Sequence, residues 1–388
     1  MVLSFLFSCR TEIENTNKDA IGMENLIGIS LTQDERDTLL TSLVLNRDKY
    51  DTLRMLELTN DIPLPLYYNP LIEGKSIPKG NDKYLFQEIP IKKPSRIEDC
   101  AFYTIGQLAY LIRTKQITSE ELTRMYIKRL KEYGTQLECV ITVTEELGIK
   151  QARKADEEIK NGRYLGPLHG IPYGAKDLLA VSGYKTTWGA NTHKDQVINK
   201  TATVIKKLEN SGAILIAKLT LGALAWGDVW YGGKTRNPWD IEKGSSGSSA
   251  GPGSATAAGL VAFSIGSETW GSIISPSSVN GVTGLRPSFG TISKTGAMAL
   301  SWSMDKLGPM CRSVDDCALV YNAIKGPDKI DHSVVDPPFQ VPNKKEVRSL
   351  RVGYIKSAFE NKKTTLNDKN VLIKLKEFLK VNNTEYDN

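Results

Sequence analysis

Gly244-Ser-Ser-Gly-Ser-Ser-Ala-Gly-Pro-Gly-Ser-Ala-Thr-Ala-Ala-Gly-Leu-Val-Ala-Phe-Ser-Ile-Gly-Ser-Glu-Thr-Trp-Gly-Ser272 is the run of residues on which the reading of this chain turns. From Gly244 to Ser278, 18 of 35 residues are Gly or Ser, and Glu268 is the only charge between Lys243 and Arg286. A flexible linker can share that composition. A linker, however, lacks core-forming patches, and here Ala255 to Gly259, Leu260-Val-Ala-Phe263 and Ile273-Ile274 supply them. Glycines set among apolar residues indicate close backbone approach and loops whose N–H groups can face a ligand. A phosphate cradle is excluded, because neither G-x-x-x-x-G-K-[ST] nor G-x-G-x-x-G occurs in the run.

The other use of such a loop is to hold a serine nucleophile, which is inert at neutral pH without a base beside it. Histidine is nearly absent: of His169, His193 and His332, only His169, in Gly166-Pro-Leu-His-Gly-Ile-Pro172, lies in a plausible loop. The remaining base is a lysine buried deeply enough to shed its proton. Lys176 follows the apolar run Gly170-Ile-Pro-Tyr-Gly-Ala175 and precedes Asp177-Leu-Leu179, at the expected end of a buried strand.

Three ordered motifs, Gly170-Ile-Pro-Tyr-Gly-Ala-Lys-Asp177, Gly247-Ser-Ser-Ala-Gly251 and Ser267-Glu-Thr-Trp-Gly-Ser-Ile273, resemble the amidase signature family. Ser272 lies 24 residues after Ser248, the family's spacing between bridging and nucleophilic serines, whereas Ser245-Ser246-Gly247 is out of register by three. Gly281-Val-Thr-Gly-Leu-Arg-Pro287 and Ser303-Met-Asp-Lys-Leu-Gly-Pro309 resemble further family segments, so the similarity runs from Tyr103 to Ile324.

The resemblance implies an amide hydrolase with no cofactor and no metal, acting on a small-molecule carboxylic amide. Neutral Lys176 is the general base, Ser248 the proton relay, and Ser272 the nucleophile that becomes the acyl-enzyme. The backbone N–H groups of Thr269, Trp270, Gly271 and Ser272 form the oxyanion hole. Ser249 and Glu268 support the site, and the Gly247-Ser248 peptide is cis. The implied fold is α/β, a mixed central β-sheet covered by α-helices on both faces, with the C-terminal part missing relative to the family. This chain departs from the pattern at Trp270, where glycine is common, at Ile274, where arginine is frequent, and at Ala250. Ile274 weakens the main rival, the A subunit of a glutamine-dependent tRNA amidotransferase. A truncated, catalytically inactive homologue is the second rival.

The rest of the chain sets the frame. Its 388 residues, 40% apolar and 24% charged, exclude disordered, collagenous and coiled-coil classes. The net charge of +6 sits almost wholly between Lys344 and Asn388, with no Arg-rich stripe, so no nucleic-acid partner is expected. The five cysteines form no C-x-x-C pair. Leu6-Phe-Ser-Cys9 is lipobox-like, which makes Cys9 a candidate lipid anchor and leaves localisation open between cytoplasm and cell envelope. The expected organisation is a signal remnant and tether over 1–30, with the tether from Arg10 to Asp19. A helical and loop-rich extension follows over 31–100, and the amidase signature domain over 101–388. Helices are expected over Thr32–Met55, Thr104–Arg113, from the Thr118-Ser-Glu-Glu121 capping box, Gln151–Lys160, Ala202–Asn210 and Asp315–Ile324, with a last amphipathic one carrying Val371 to Leu379. Strands are expected at 139–144, 171–173, 213–217, 261–265, 282–285 and 351–355, the second and third joined as a βαβ unit.

Overall fold

The computed structural model describes residues 9–56, 86–341, 353–359 and 365–379, with scattered positions between 69 and 82. The chain divides into two compact units, Met1–Ile62 and Pro63–Asn388. The first holds α1 (Cys9–Ile27) and α2 (Gln33–Arg54). Thr32 caps α2 through a capping box with Glu35. Arg36 of α2 ties back to Glu24 of α1 at 2.7 Å. Residues 10–19 are therefore helical rather than the expected tether, and residues 6–8 of the lipobox-like run lie outside the described residues.

The second unit opens with a 3-10 turn (Ile97–Phe102), followed by α3 (Ile105–Arg113) and α4 (Ser119–Tyr133). Both helices start on capping boxes, Thr104 with Gln107 and Thr118 with Glu121, the second of which the sequence signals. Then come β1 (Val140–Val143), α5 (Glu145–Lys160), β2 (Pro172–Lys176), α6 (Thr203–Asn210) and β3 (Ile214–Leu219). Two small hairpins follow, β4 (Val229–Trp230) with β5 (Gly233–Lys234) and β6 (Arg236–Asn237) with β7 (Asp240–Gly244). The chain continues through α7 (Ala250–Ala257), β8 (Phe263–Glu268), α8 (Ile274–Asn280), β9 (Thr283–Gly284), β10 (Lys306–Cys311) and α9 (Val314–Ile324). Helices Lys356–Phe359 and Leu366–Leu379 complete the described residues.

Six strands make the central sheet in the order β1-β3-β2-β8-β10-β9. β2 runs parallel to both β3 and β8, while β1, β10 and β9 pair antiparallel, so the sheet is mixed. β2 and β3, joined through α6, form the expected βαβ unit. Every residue of β2 and β3 is buried, Lys176 and Lys218 included, as their central places in the sheet require.

Alternation along the strands gives the sheet two different faces. Tyr173 of β2 and Phe263 of β8 are register partners whose rings stack at 5.2 Å on one face. Gly174, Lys176, Ser264 and Gly266 belong to the other, where the Ser264 hydroxyl meets Thr256 of α7 at 2.8 Å. α7 reads Ala-Gly-Pro-Gly-Ser-Ala-Thr-Ala, and its small side chains let the helix backbone lie close to the sheet.

The sequence signals missed α7, α8, β10 and the hairpins, and placed the start of α5 six residues too late. A helix containing Gly-Pro-Gly has poor intrinsic propensity and forms here because packing decides. At 351–355 no strand forms among the described residues: 351–352 lie outside them, and Tyr354 makes only a single bridge.

A methyl group added at Gly174 would fall 2.4 Å from Leu219 Cδ1 and 3.0 Å from its Cγ. Gly174→Ala is expected to destabilise the second unit by about 1–3 kcal/mol through overpacking. Denaturant unfolding followed by circular dichroism measures it.

Candidate active site

Lys176 is the last residue of β2, and β3 and β8 flank that strand on both sides, so its side chain has no route to water. Its Nζ lies 2.7 Å from Ser248 Oγ, 3.1 Å from Ser249 Oγ, 2.9 Å from Ser267 Oγ and 3.4 Å from the Ser267 carbonyl. All four neighbours are neutral. Burial holds the Lys176 ammonium well below the ordinary lysine value, against the opposing pull of Asp305 and Glu268.

The serines arrive from the turn between β7 and α7. Gly247 comes so close to the 227–228 backbone that a Cβ there would meet Gly227 O at 1.8 Å, and the Gly247-Ser248 peptide is cis. Ser249 is the N-cap residue of α7. Its hydroxyl donates to the Ser267 carbonyl at 3.0 Å and accepts from Ser267 N–H at 3.1 Å, which fixes it as an acceptor toward Lys176. Its own N–H donates to the Ser272 carbonyl at 3.1 Å, so one backbone bond joins the Ser248 turn to the Ser272 loop.

That loop runs from the end of β8 to the start of α8. The buried Glu268 carboxylate accepts from Ile273 N–H and Ile274 N–H at 2.8 and 2.9 Å and pairs with Arg286 at 3.0 Å. Burial alone would raise the Glu268 carboxyl, but the two N–H groups and Arg286 outweigh it and hold the carboxyl below its usual range. The curl this imposes needs φ +105° at Gly271, a conformation that favours glycine. None of the N–H groups of Thr269, Trp270, Gly271 and Ser272 donates to a described residue. The half-buried Ser272 hydroxyl likewise has no hydrogen bond to one. Among the described residues, then, four consecutive N–H groups and the hydroxyl of the last of these residues are left without a hydrogen bond.

Sequence reasoning missed several supports. Asp305 accepts the Thr269 hydroxyl at 2.5 Å, and Lys306 donates to the carbonyls of Thr269 and Met304. Beside Lys176, Asp177 and Lys218 form a fully buried ion pair at 2.5 Å. Asp177 also accepts Thr187 N–H and Oγ1 at 2.7 and 2.6 Å, and Lys218 donates to the Lys185 carbonyl at 2.9 Å. A lysine inside the apolar run Ile214–Leu219 was the available signal. His169 stands just before the other end of β2, taking the Leu165 N–H on Nδ1 and pairing with Glu158, so it belongs to the scaffold. Among the described residues no cluster of His, Cys, Asp or Glu could hold a metal ion.

The family model described as Amidase matches residues 121–385, well over half the chain. The chain belongs to the amidase signature family. The A subunit of the glutamyl-tRNA(Gln) amidotransferase of Caldanaerobacter subterraneus subsp. tengcongensis is 36% identical over 262 residues, covering 66% of this chain and 54% of that protein. Its counterpart from Sulfurisphaera tokodaii is 35% identical over 259 residues, with the same coverage of 66% and 54%. Among solved structures, the native peptide amidase of Stenotrophomonas maltophilia superposes with a TM-score of 0.65 at 28% identity, covering 72% of this chain and 61% of that one. The chain spans about half the length of the curated relatives it matches.

Lys218→Met leaves Asp177 charged, buried and unpaired, and is expected to destabilise the second unit by about 3–5 kcal/mol. The double change Asp177→Asn with Lys218→Met, which removes the charge and keeps an acceptor for Thr187, is expected to recover part of that loss. Unfolding midpoints of the three proteins check both statements.

Proposed function

We propose that this chain hydrolyses a carboxylic amide C–N bond through an acyl-enzyme on Ser272, with Ser248 as proton relay and Lys176 as general base. The observation that carries the reading is the dry 2.7 Å contact between Lys176 Nζ and Ser248 Oγ, in a site whose other lysine contacts are neutral. A neutral amine has two N–H bonds and one lone pair. Ser249 Oγ and Ser267 take the N–H groups, which leaves the lone pair for the Ser248 hydroxyl.

In the first half-reaction Lys176 takes the Ser248 proton as Ser248 takes that of Ser272. The Ser272 oxygen attacks the amide carbonyl, whose oxygen gains negative charge opposite the N–H groups of residues 269–272. Collapse breaks the C–N bond, and the proton returns through Ser248 to the leaving amine. Water then repeats the sequence and releases the acid. Relay and oxyanion donors act only as charge develops, which is where catalytic stabilisation counts. Ser249 orients Lys176, and Glu268 shapes the loop.

A second reading rests on the names of the curated relatives, each the A subunit of a glutamyl-tRNA(Gln) amidotransferase. It requires partner subunits and glutamine as nitrogen donor, and Ile274 in place of the frequent arginine speaks against it. Lipid attachment at Cys9 is a separate proposal, resting only on the lipobox-like residues 6–9.

A fluorophosphonate is expected to label Ser272, found by peptide mass spectrometry, and Lys176→Ala is expected to abolish the adduct while leaving the circular dichroism unchanged. A folded, unlabelled chain supports the inactive homologue instead. The active lysine is the deprotonated one, so the labelling rate is expected to rise with pH through an ionisation well below the ordinary lysine value and then level off. Lys176→Arg, which cannot deprotonate, is expected to remain unlabelled at every pH.

A further inference from the structure

Trp270 stands in the loop of free N–H groups, two residues before Ser272, and is 85% exposed. An indole so exposed contributes little to the fold, and a single exposed apolar side chain carries no message by itself. Trp270 has company. Leu300, Trp302 and Met304 are 45%, 51% and 44% exposed on the loop that leads into β10.

The two loops are fastened to each other. Asp305 accepts the Thr269 hydroxyl at 2.5 Å on one side of the fastening and the N–H groups of Leu300 and Ser301 at 2.7 and 3.0 Å on the other. Lys306 Nζ holds the carbonyls of Thr269 and Met304 at once. The Trp270 backbone is therefore pinned between Thr269 and the positive-φ Gly271, within about 7 Å of the Ser272 Cα by chain length alone. The charges on these loops are engaged as well: Arg286 pairs with Glu268, and Lys306 with two carbonyls.

We infer that Trp270, backed by the loop of Leu300, Trp302 and Met304, is a specificity determinant that selects amides carrying a flat, apolar group next to the scissile bond over small aliphatic amides. The inference rests on the amidase reading. Stacking on a prepositioned indole adds to the burial of apolar surface, so an aryl amide gains where acetamide gains almost nothing.

The test compares phenylacetamide and acetanilide, which place the ring on the acyl and amine sides, with acetamide. The quantity read is the ratio of kcat/KM for the preferred aryl amide to that for acetamide. A ratio cancels any general damage that a change in this loop does to turnover. Trp270→Ala is expected to lower the ratio about tenfold, mostly through KM, with Trp302→Ala lowering it less and Trp270→Phe keeping most of it. A ratio unchanged in Trp270→Ala, or a native chain that prefers acetamide, overturns the inference while leaving the amidase reading intact. Should the native chain hydrolyse none of the three amides, fluorophosphonate labelling of Ser272 decides the amidase reading separately. Calorimetric titration with phenylacetamide then decides the inference: binding about tenfold weaker in Trp270→Ala supports it, and equal binding or none overturns it.

Discussion

Keeping one amine dry organises this molecule. Lys176 Nζ has to be desolvated to act as the proposed base, and desolvation here comes from a central strand with neighbours on both sides, a helix packed above it, and hydrogen-bond partners without charge. β3 and β8 supply the neighbours. α7 supplies the cover, and it lies close because its residues are small. Ser248, Ser249 and Ser267 supply the partners. The Gly/Ser-rich composition of the segment after Lys243 follows from that demand, since larger side chains would lift α7 off the sheet and further acidic ones would restore the proton.

Much of this was legible in the chain itself. The capping box at Thr118–Glu121 fixes the start of α4, because a Thr followed three residues later by Glu satisfies two helix-end donors, while α2 and α3 were legible from their apolar spacing. The buried strands β2 and β3 announce themselves as apolar runs. Lys176, Ser248 and Ser272 follow from motif order and spacing, and the folded chain brings the first two into contact and ties the third to the same turn.

What escaped the sequence depends on long-range pairing. β10 contains Gly308-Pro309, which argues locally against a strand, yet it lies between β8 and β9. It is tolerated because β9 pairs only with Met310 and Cys311, beyond the proline, whose carbonyl takes the Leu285 N–H at 3.0 Å. The Asp177–Lys218 pair is similarly hidden: its members are 41 residues apart, and only the parallel register of β2 and β3, which sets Lys176 opposite Leu219, brings them together. The support of Thr269 by Asp305 again joins residues distant in sequence, through β10.

The unequal faces of the sheet bear on how such a protein can change over time. On the face carrying Lys176, Gly174 and Gly266 already touch their neighbours, since a Cβ at Gly266 would come 2.8 Å from Ser249 Oγ. Drift there is blocked by steric contact, so the floor holding the proton chain is frozen. The exposed rim at Trp270, Trp302 and Met304 is free of that constraint. A descendant can exchange those side chains with little effect on folding. Under the proposed function, the reaction and the choice of what undergoes it are thus separately heritable, the first locked in the packing and the second written on the surface.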